Sequence, residues 1–356
     1  MTDFEKKIGK EIRFIDLFCG IGGFRIAAEK AAKTTGAVAT CVFSCDIDPS
    51  CRKAYQANFG EFPLGDIKEI EAKDIPDHDL LLAGFPCQPF SIIGNRMGFE
   101  DTRGTLFFEI ARILKEKNPS AFVLENVKLL AGHNGGATLK RIMNVLWEIG
   151  YFADYKILNA LDFGLPQKRE RIFIIGFKEP CKFDWPKGGF PMKPLSEILE
   201  SNVSSEFYAS EKIKAKRLQK LKPTNEPTIW HENKGGHVSA YPYSCALRAG
   251  ASYNYLLVNG ERRLTPREML RLQGFPDDFK IVCNYSQTRK QAGNSLPINV
   301  AKEVLRQLFL SQGWSKAQAH KVSLPLKHCV IDGREYIFEK RGKYEKRAKT
   351  ENSGKV

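Results

Sequence analysis

Cys87, held between two prolines in GFPCQPFS (residues 84–91), is the side chain of this sequence best placed to act as a nucleophile. Pro86 and Pro89 each fix φ near −65° and donate no backbone hydrogen bond, which predicts a stiff, non-helical loop. The apolar run before it, Asp79-Leu-Leu-Leu-Ala83, is short, continuous and flanked by turn formers, as a buried strand is. A thiol at the carboxyl end of a buried strand lies where an open α/β sheet places its chemistry. Taken alone, the loop serves equally well as a proline-rich turn around a structural cysteine. Glu125 follows the apolar run Ala121-Phe-Val-Leu. A carboxylate there is costly unless it has partners. Either it caps the next turn, or burial raises its pKa so that it carries a proton at neutral pH. Arg169 and Arg171, at i and i+2 in PQKRERIFIIG, fall on one side of an extended chain. They suit bidentate contact with a carboxylate, a base carbonyl or a phosphate, while a solvated loop is the plain alternative.

These groups need a scaffold, and its elements are legible. Residues 13–18 read as a strand, followed by Cys19-Gly-Ile-Gly-Gly23 and a helix from Phe24 to about Lys33. Strand, glycine loop and helix in that order form the ligand-binding turn of a Rossmann-like unit, where backbone N–H groups approach a ligand at a positive helix end. The spacing is not the full GxGxxG, so no pyrophosphate is implied, which excludes a nicotinamide dehydrogenase. A second strand, Val38–Ser44, leads into Cys45-Asp46, an acid positioned for ribose hydroxyls. Asp66 is expected to end a third strand and to meet an adenine amino group. Singly, each acid is a turn or cap residue; together they favour an adenosine ligand. Further on come an amphipathic helix over 105–117, with Leu106, Ile110, Ile113 and Leu114 on one face, the strand 121–127, a helix around Leu139–Ile149 and a strand near Tyr155–Leu158. The fold class expected from this alternation is α/β, Rossmann-like, with a mainly parallel sheet.

The 356 residues carry 55 Lys and Arg against 41 Asp and Glu, a formal charge of +14. That balance attracts polyanions, nucleic acid foremost, although basic charge also serves solubility. No apolar run reaches membrane-spanning length. The charged N-terminus is no secretory signal, so cytoplasmic residence is expected. Nine cysteines, an odd number without a CxxC pair, point to free thiols, and no metal site is expected.

Taken in order, FIDLFCGIGGF, GDI, GFPCQPFS, FVLENV and PQKRERIFIIG, then RRLTPRE (residues 262–268) and QAGNSL (291–296), resemble the ordered motif set of the C5-cytosine DNA methyltransferases. The resemblance runs from about Phe14 to Leu308. It implies S-adenosylmethionine as cofactor, double-stranded DNA as partner and a target cytosine flipped out of the helix. It implies Cys87 as nucleophile, Glu125 as the acid at cytosine N3, and Arg169 and Arg171 as support for the flipped base and its flanking backbone. It assigns Phe18, Gly20, Gly22, Gly23, Asp46, Ile47, Asp66, Ile67, Pro86, Leu106 and Asn294 to the cofactor region. Position 47 is often aromatic in the family; isoleucine covers an adenine face without stacking on it.

The implied organisation is a catalytic and cofactor lobe over 1–177, a target-recognition domain over 178–262, a hinge helix and return over 263–312, and an extension over 313–356 whose tail is expected to be disordered. Within the second region αβ periodicity dissolves. The basic run 212–217 is expected to be one solvated helix face, and 234–236 and 248–251 are glycine-rich candidates for groove-facing loops. Thr265-Pro-Arg-Glu268 is a helix start with Gly274 as its stop. The final helix, through Ile298 and Leu308, is expected to return Asn294 to the cofactor. Cys329–Phe338 suggests a hairpin around Asp332-Gly333. A bacterial, monomeric enzyme paired with a restriction endonuclease is the leading expectation, because nothing long precedes the first motif. A tRNA cytosine-5 methyltransferase and a catalytically inactive DNA-binding accessory protein are its rivals.

Overall fold

The computed structural model describes residues 11–86 and 106–315, together with the backbone of two C-terminal strands. Along the chain, β1 (Glu11–Leu17), α1 (Gly23–Thr35), β2 (Val38–Cys45), α2 (Pro49–Phe59) and β3 (Leu80–Gly84) come first. They are followed by α3 (Leu106–Lys117), β4 (Ala121–Val127), α4 (Ala137–Glu148), β5 (Phe152–Asn159), β6 (Gln167–Lys168) and β7 (Glu170–Phe177). Six of these strands form one sheet in the order β2-β1-β3-β4-β7-β5. β2, β1, β3 and β4 run parallel, and β7 is antiparallel to both of its neighbours. Its central strands carry runs of apolar residues, such as Leu80–Ala83 and Ala121–Leu124, because helices cover both faces. Phe14, Leu80 and Leu82 point to the face packed by α1, whereas Ile15, Leu81 and Ala83 point to the face packed by α3 and α4. This is the two-residue alternation of a pleated strand, and it fixes the register.

The expected strand ending at Asp66 does not form. Leu64 makes a single bridge to Cys45, and Asp66 caps one 3₁₀ turn by accepting a hydrogen bond from Lys68 N–H at 3.1 Å. A short acidic segment with Pro63 and Gly65 favours a capped turn over a ladder.

The rest of the described chain contains α5 (Glu211–Leu218), β8 (Ile229–Glu232), β9 (Val238–Tyr241), β10 (Ser244–Cys245), β11 (Leu256–Val258), α6 (Pro266–Gln273), α7 (Tyr285–Asn294) and α8 (Ile298–Ser311). β11-β8-β9 is a small antiparallel sheet, and β10 runs parallel to β6. The basic run on α5 is only partly a solvated face. Lys212 and Lys216 are exposed, but Arg217 is buried, 2.9 Å from Glu232 and 2.7 Å from the Asn254 carbonyl. One apolar core runs unbroken from Phe24 and Ala28 of α1 through Val304 and Leu308 of α8 to Ile229 and Leu256 of the small sheet. α6 carries the expected capping box between Thr265 and Glu268, and Gly274 ends it in the left-handed region. The C-terminal strands β12 (His328–Ile331) and β13 (Arg334–Ile337) pair antiparallel, with Ile331 opposite Arg334. The last fifteen residues lie outside the described residues. Among the described residues no helix is long and apolar enough to cross a membrane.

Candidate active site

A cavity of about 560 Å³ opens at the carboxyl ends of β1, β3 and β4. Its floor is the turn between β1 and α1. Phe18 takes φ 55° there, uncommon for a residue with a side chain, and Gly20 takes φ 53°. The turn is held open by Asp46, whose carboxylate accepts from Gly20 N–H and from Asp48 N–H, both at 2.8 Å. Burial pushes the Asp46 carboxyl up, against the pull of those two amides. Gly22 is not on the cavity wall. It precedes α1 at φ 88°, and a Cβ there would sit 2.2 Å from the Phe59 ring, so its role is packing. Gly23, Asp46, Ile47, Asp66, Ile67, Pro86, Leu106 and Asn294 all line the cavity with Phe18 and Gly20. Asn294 arrives at the end of α7, which is tied to α2 by Lys290 to Asp48 at 2.8 Å and by Gln291 Nε2 to the Ser50 carbonyl at 3.0 Å.

The other end of the same cavity is Glu125. It lies opposite Gly84 on β3 and is 8% exposed. Arg171 Nε stands 3.0 Å from its Oε1. Burial raises the Glu125 pKa, opposed by the charges of Arg171 and Arg169. The neighbouring Asn126 donates from Nδ2 to the Phe85 carbonyl at 2.9 Å and so fixes the exit of β3. Asn126 was not singled out as a functional residue, although its place in FVLENV offered the signal. The described chain then stops at Pro86, on the cavity wall; Cys87 lies outside the described residues.

The two arginines make different contacts within the protein. Arg169, 1% exposed, donates from Nη1 to the Leu247 carbonyl at 2.9 Å and from Nη2 to the carbonyls of Gly293 at 2.9 Å and Ser295 at 2.5 Å. Those carbonyls take three of its five N–H groups, so most of the fork is committed to the protein's own backbone. Arg171, like Arg169, lines the cavity.

Asp16 is a wall residue that sequence reasoning passed over. It is 1% exposed, and neither carboxylate oxygen has a hydrogen-bond partner. Burial raises its pKa from 3.8 to about 8, with Arg25 pulling the other way. The available signal was an aspartate inside the apolar strand FIDLF.

The family model for C-5 cytosine-specific DNA methylases matches residues 12–310. The chain belongs to the C-5 cytosine-specific DNA methylase family. It is 58% identical over 291 residues to the type II methyltransferase M.NgoBI of Neisseria gonorrhoeae, covering 80% of this chain and 89% of that one. It is 54% identical over 298 residues to M.HaeII of Haemophilus aegyptius, covering 83% and 92%. The crystal structure of S. pombe Dnmt2 methyltransferase shares the fold at TM-score 0.65 and 23% identity, covering 84% of this chain and 98% of that one. A C-5 cytosine methylase uses S-adenosylmethionine. The cavity residues fit that group: its sulfonium and ammonium are cationic, and Asp16, a wall residue whose carboxyl oxygens have no hydrogen-bond partner, is an acid that a bound cation would favour in its ionised form. Gly20 leaves open space within 4 Å where a side chain would stand.

Proposed function

We propose that this methylase acts in the cytoplasm on one specific sequence of duplex DNA, as the protecting half of a type II restriction–modification pair. The type II relatives and the basic charge of +14 support this reading. The observation that carries the chemistry is a single cavity shared by the glycine turn, Pro86 and the Glu125–Arg171 pair.

Phe18, Gly20, Gly23, Ile47, Ile67, Pro86, Leu106 and Asn294 would enclose the cofactor, with Asp46 and Asp66 toward its hydroxyl and amino groups and Asp16 toward its cationic end. When bound, S-adenosylmethionine supplies an electrophilic methyl group. Cytosine C5 is too weak a nucleophile to take it unaided. The target base therefore leaves the stack at a cost of a few kcal/mol, offset by contacts to its edge. The Cys87 thiolate adds to C6 while Glu125 gives a proton to N3, and electron density gathers at C5, the atom to be methylated. Water removes the C5 proton, elimination returns the Cys87 thiolate, and N3 gives its proton back to Glu125. Arg171 holds Glu125 in place and favours the thiolate electrostatically, since an ordinary thiol of pKa near 8.5 is only a few per cent ionised at pH 7.

The test is base-resolution sequencing of genomic DNA from a host without cytosine methylation that expresses the chain. The expected result is 5-methylcytosine at one recurrent sequence, absent with Cys87→Ala, while that variant still binds DNA and cofactor. Methylation by Cys87→Ala at wild-type levels would refute the covalent route.

A further inference from the structure

We propose that Arg169 is a positioning residue that ties a DNA-facing loop to the cofactor side of the cavity, so that duplex and cofactor each raise the other's affinity. This deepens the methyltransferase reading and rests on it. Leu247 is gripped at both backbone groups by alternate residues of one extended segment. Gln167 Oε1 accepts its N–H at 3.0 Å, and Arg169 Nη1 donates to its carbonyl at 2.9 Å. Its chain neighbour Arg248 is exposed, with its guanidinium 4.9 Å over the Tyr255 ring and its charge within reach of a phosphate from solvent.

The second terminal nitrogen of Arg169 reaches the carbonyls of Gly293 and Ser295, the residues on either side of Asn294 in the cavity wall. The two segments also touch backbone to backbone. A Cβ on Gly293 would lie 2.5 Å from Ala249 N, so no side chain separates them. Gln273 completes the joint from α6, donating to the Ala292 carbonyl at 2.5 Å and accepting from Gln167 Nε2 at 3.3 Å.

A guanidinium can join both segments at once because its donors sit in a rigid planar fork. Buried without one of its acceptors, it would be left with an unsatisfied charge, so the positions of the two segments are bound to each other. Any ligand that orders one then favours the ordered form of the other, and the coupling is reciprocal. A lysine retains the charge but has a single nitrogen, which cannot span both sides. Arg169→Lys thus separates charge from bridging.

The experiment measures the Kd of S-adenosylhomocysteine by calorimetry, alone and with saturating unmethylated plasmid DNA, alongside each protein's thermal midpoint. For the wild type, DNA is expected to tighten binding at least about fivefold, the low end of ordinary coupling. In Arg169→Lys the ratio falls below about twofold, while the Kd without DNA changes less than the ratio does. Should that variant not fold, Gly293→Ala, which pushes Ala249 away while leaving the Arg169 side chain itself unaltered, is expected to lower the ratio in the same way. A wild-type ratio of one, or an unchanged ratio in a folded variant, overturns the proposal. Absence of methyl transfer by the wild type would instead overturn the functional reading beneath it.

Discussion

At the scale of single residues, two buried acids divide the work of the cavity. Glu125 sits against Arg171 with its pKa raised by burial, so it keeps a proton to higher pH than an ordinary carboxyl. Loss of that proton should lower the methylation rate on the alkaline side. Glu125→Gln, which still donates a hydrogen bond but transfers no proton, should lower kcat by about 10²–10⁴ with DNA binding retained, as single-turnover kinetics and gel shift would report. Asp16 has no partner, and its carboxyl is raised to about 8. Because the folded value exceeds the unfolded one, its contribution to stability is fully present below pH 4 and is lost as pH rises through 8, a change of at most about 6 kcal/mol. Thermal melts of the unliganded protein should therefore show Asp16→Asn gaining on the wild type from pH 5 to 8. The same variant should bind cofactor more weakly. Glu125 was legible in the sequence because a carboxylate closes an apolar run. Asp16 makes the same statement inside FIDLF, but the glycines beside it drew the reading to backbone chemistry.

Among elements, the sheet was the most legible part. β4 spans Ala121–Val127 as expected, and β3 is shifted by one residue from its expected span. α7 was not anticipated, since Tyr-Ser-Gln-Thr-Arg-Lys-Gln-Ala-Gly-Asn has no apolar stripe, and tertiary hydrogen bonds to α2 hold it instead. The strand expected before Asp66 was overruled by cap chemistry. RRLTPRE reads correctly as a helix start, yet its deeper role is a joint. Glu268, fully buried, takes Arg262 on both oxygens at 2.8 and 2.9 Å, and its carboxylate also accepts from Glu200 N–H and Thr265 N–H, each at 2.8 Å. Removing Arg262 leaves a buried carboxylate short of its cation. Arg262→Met should cost about 3–5 kcal/mol, visible as a clear drop in the thermal midpoint.

Across the whole molecule, the chain order of motifs could be read, but what each touches could not. Arg169 and Arg171 look alike at i and i+2, and only the packed fold sends one to Leu247, Gly293 and Ser295 and the other to Glu125. Such contacts join residues more than forty positions apart, beyond any local periodicity. The central claim is that Cys87 bonds to the cytosine it helps to methylate. Its most direct test uses duplex DNA in which every cytosine carries fluorine at C5, incubated with the protein and S-adenosylmethionine. Fluorine cannot leave as a proton does, so the last elimination is blocked and the adduct persists. Mass spectrometry of the digested complex should find one peptide, that of Cys87, bonded to a methylated fluorocytosine; methylated DNA with no adduct, or an adduct on another cysteine, would contradict the account.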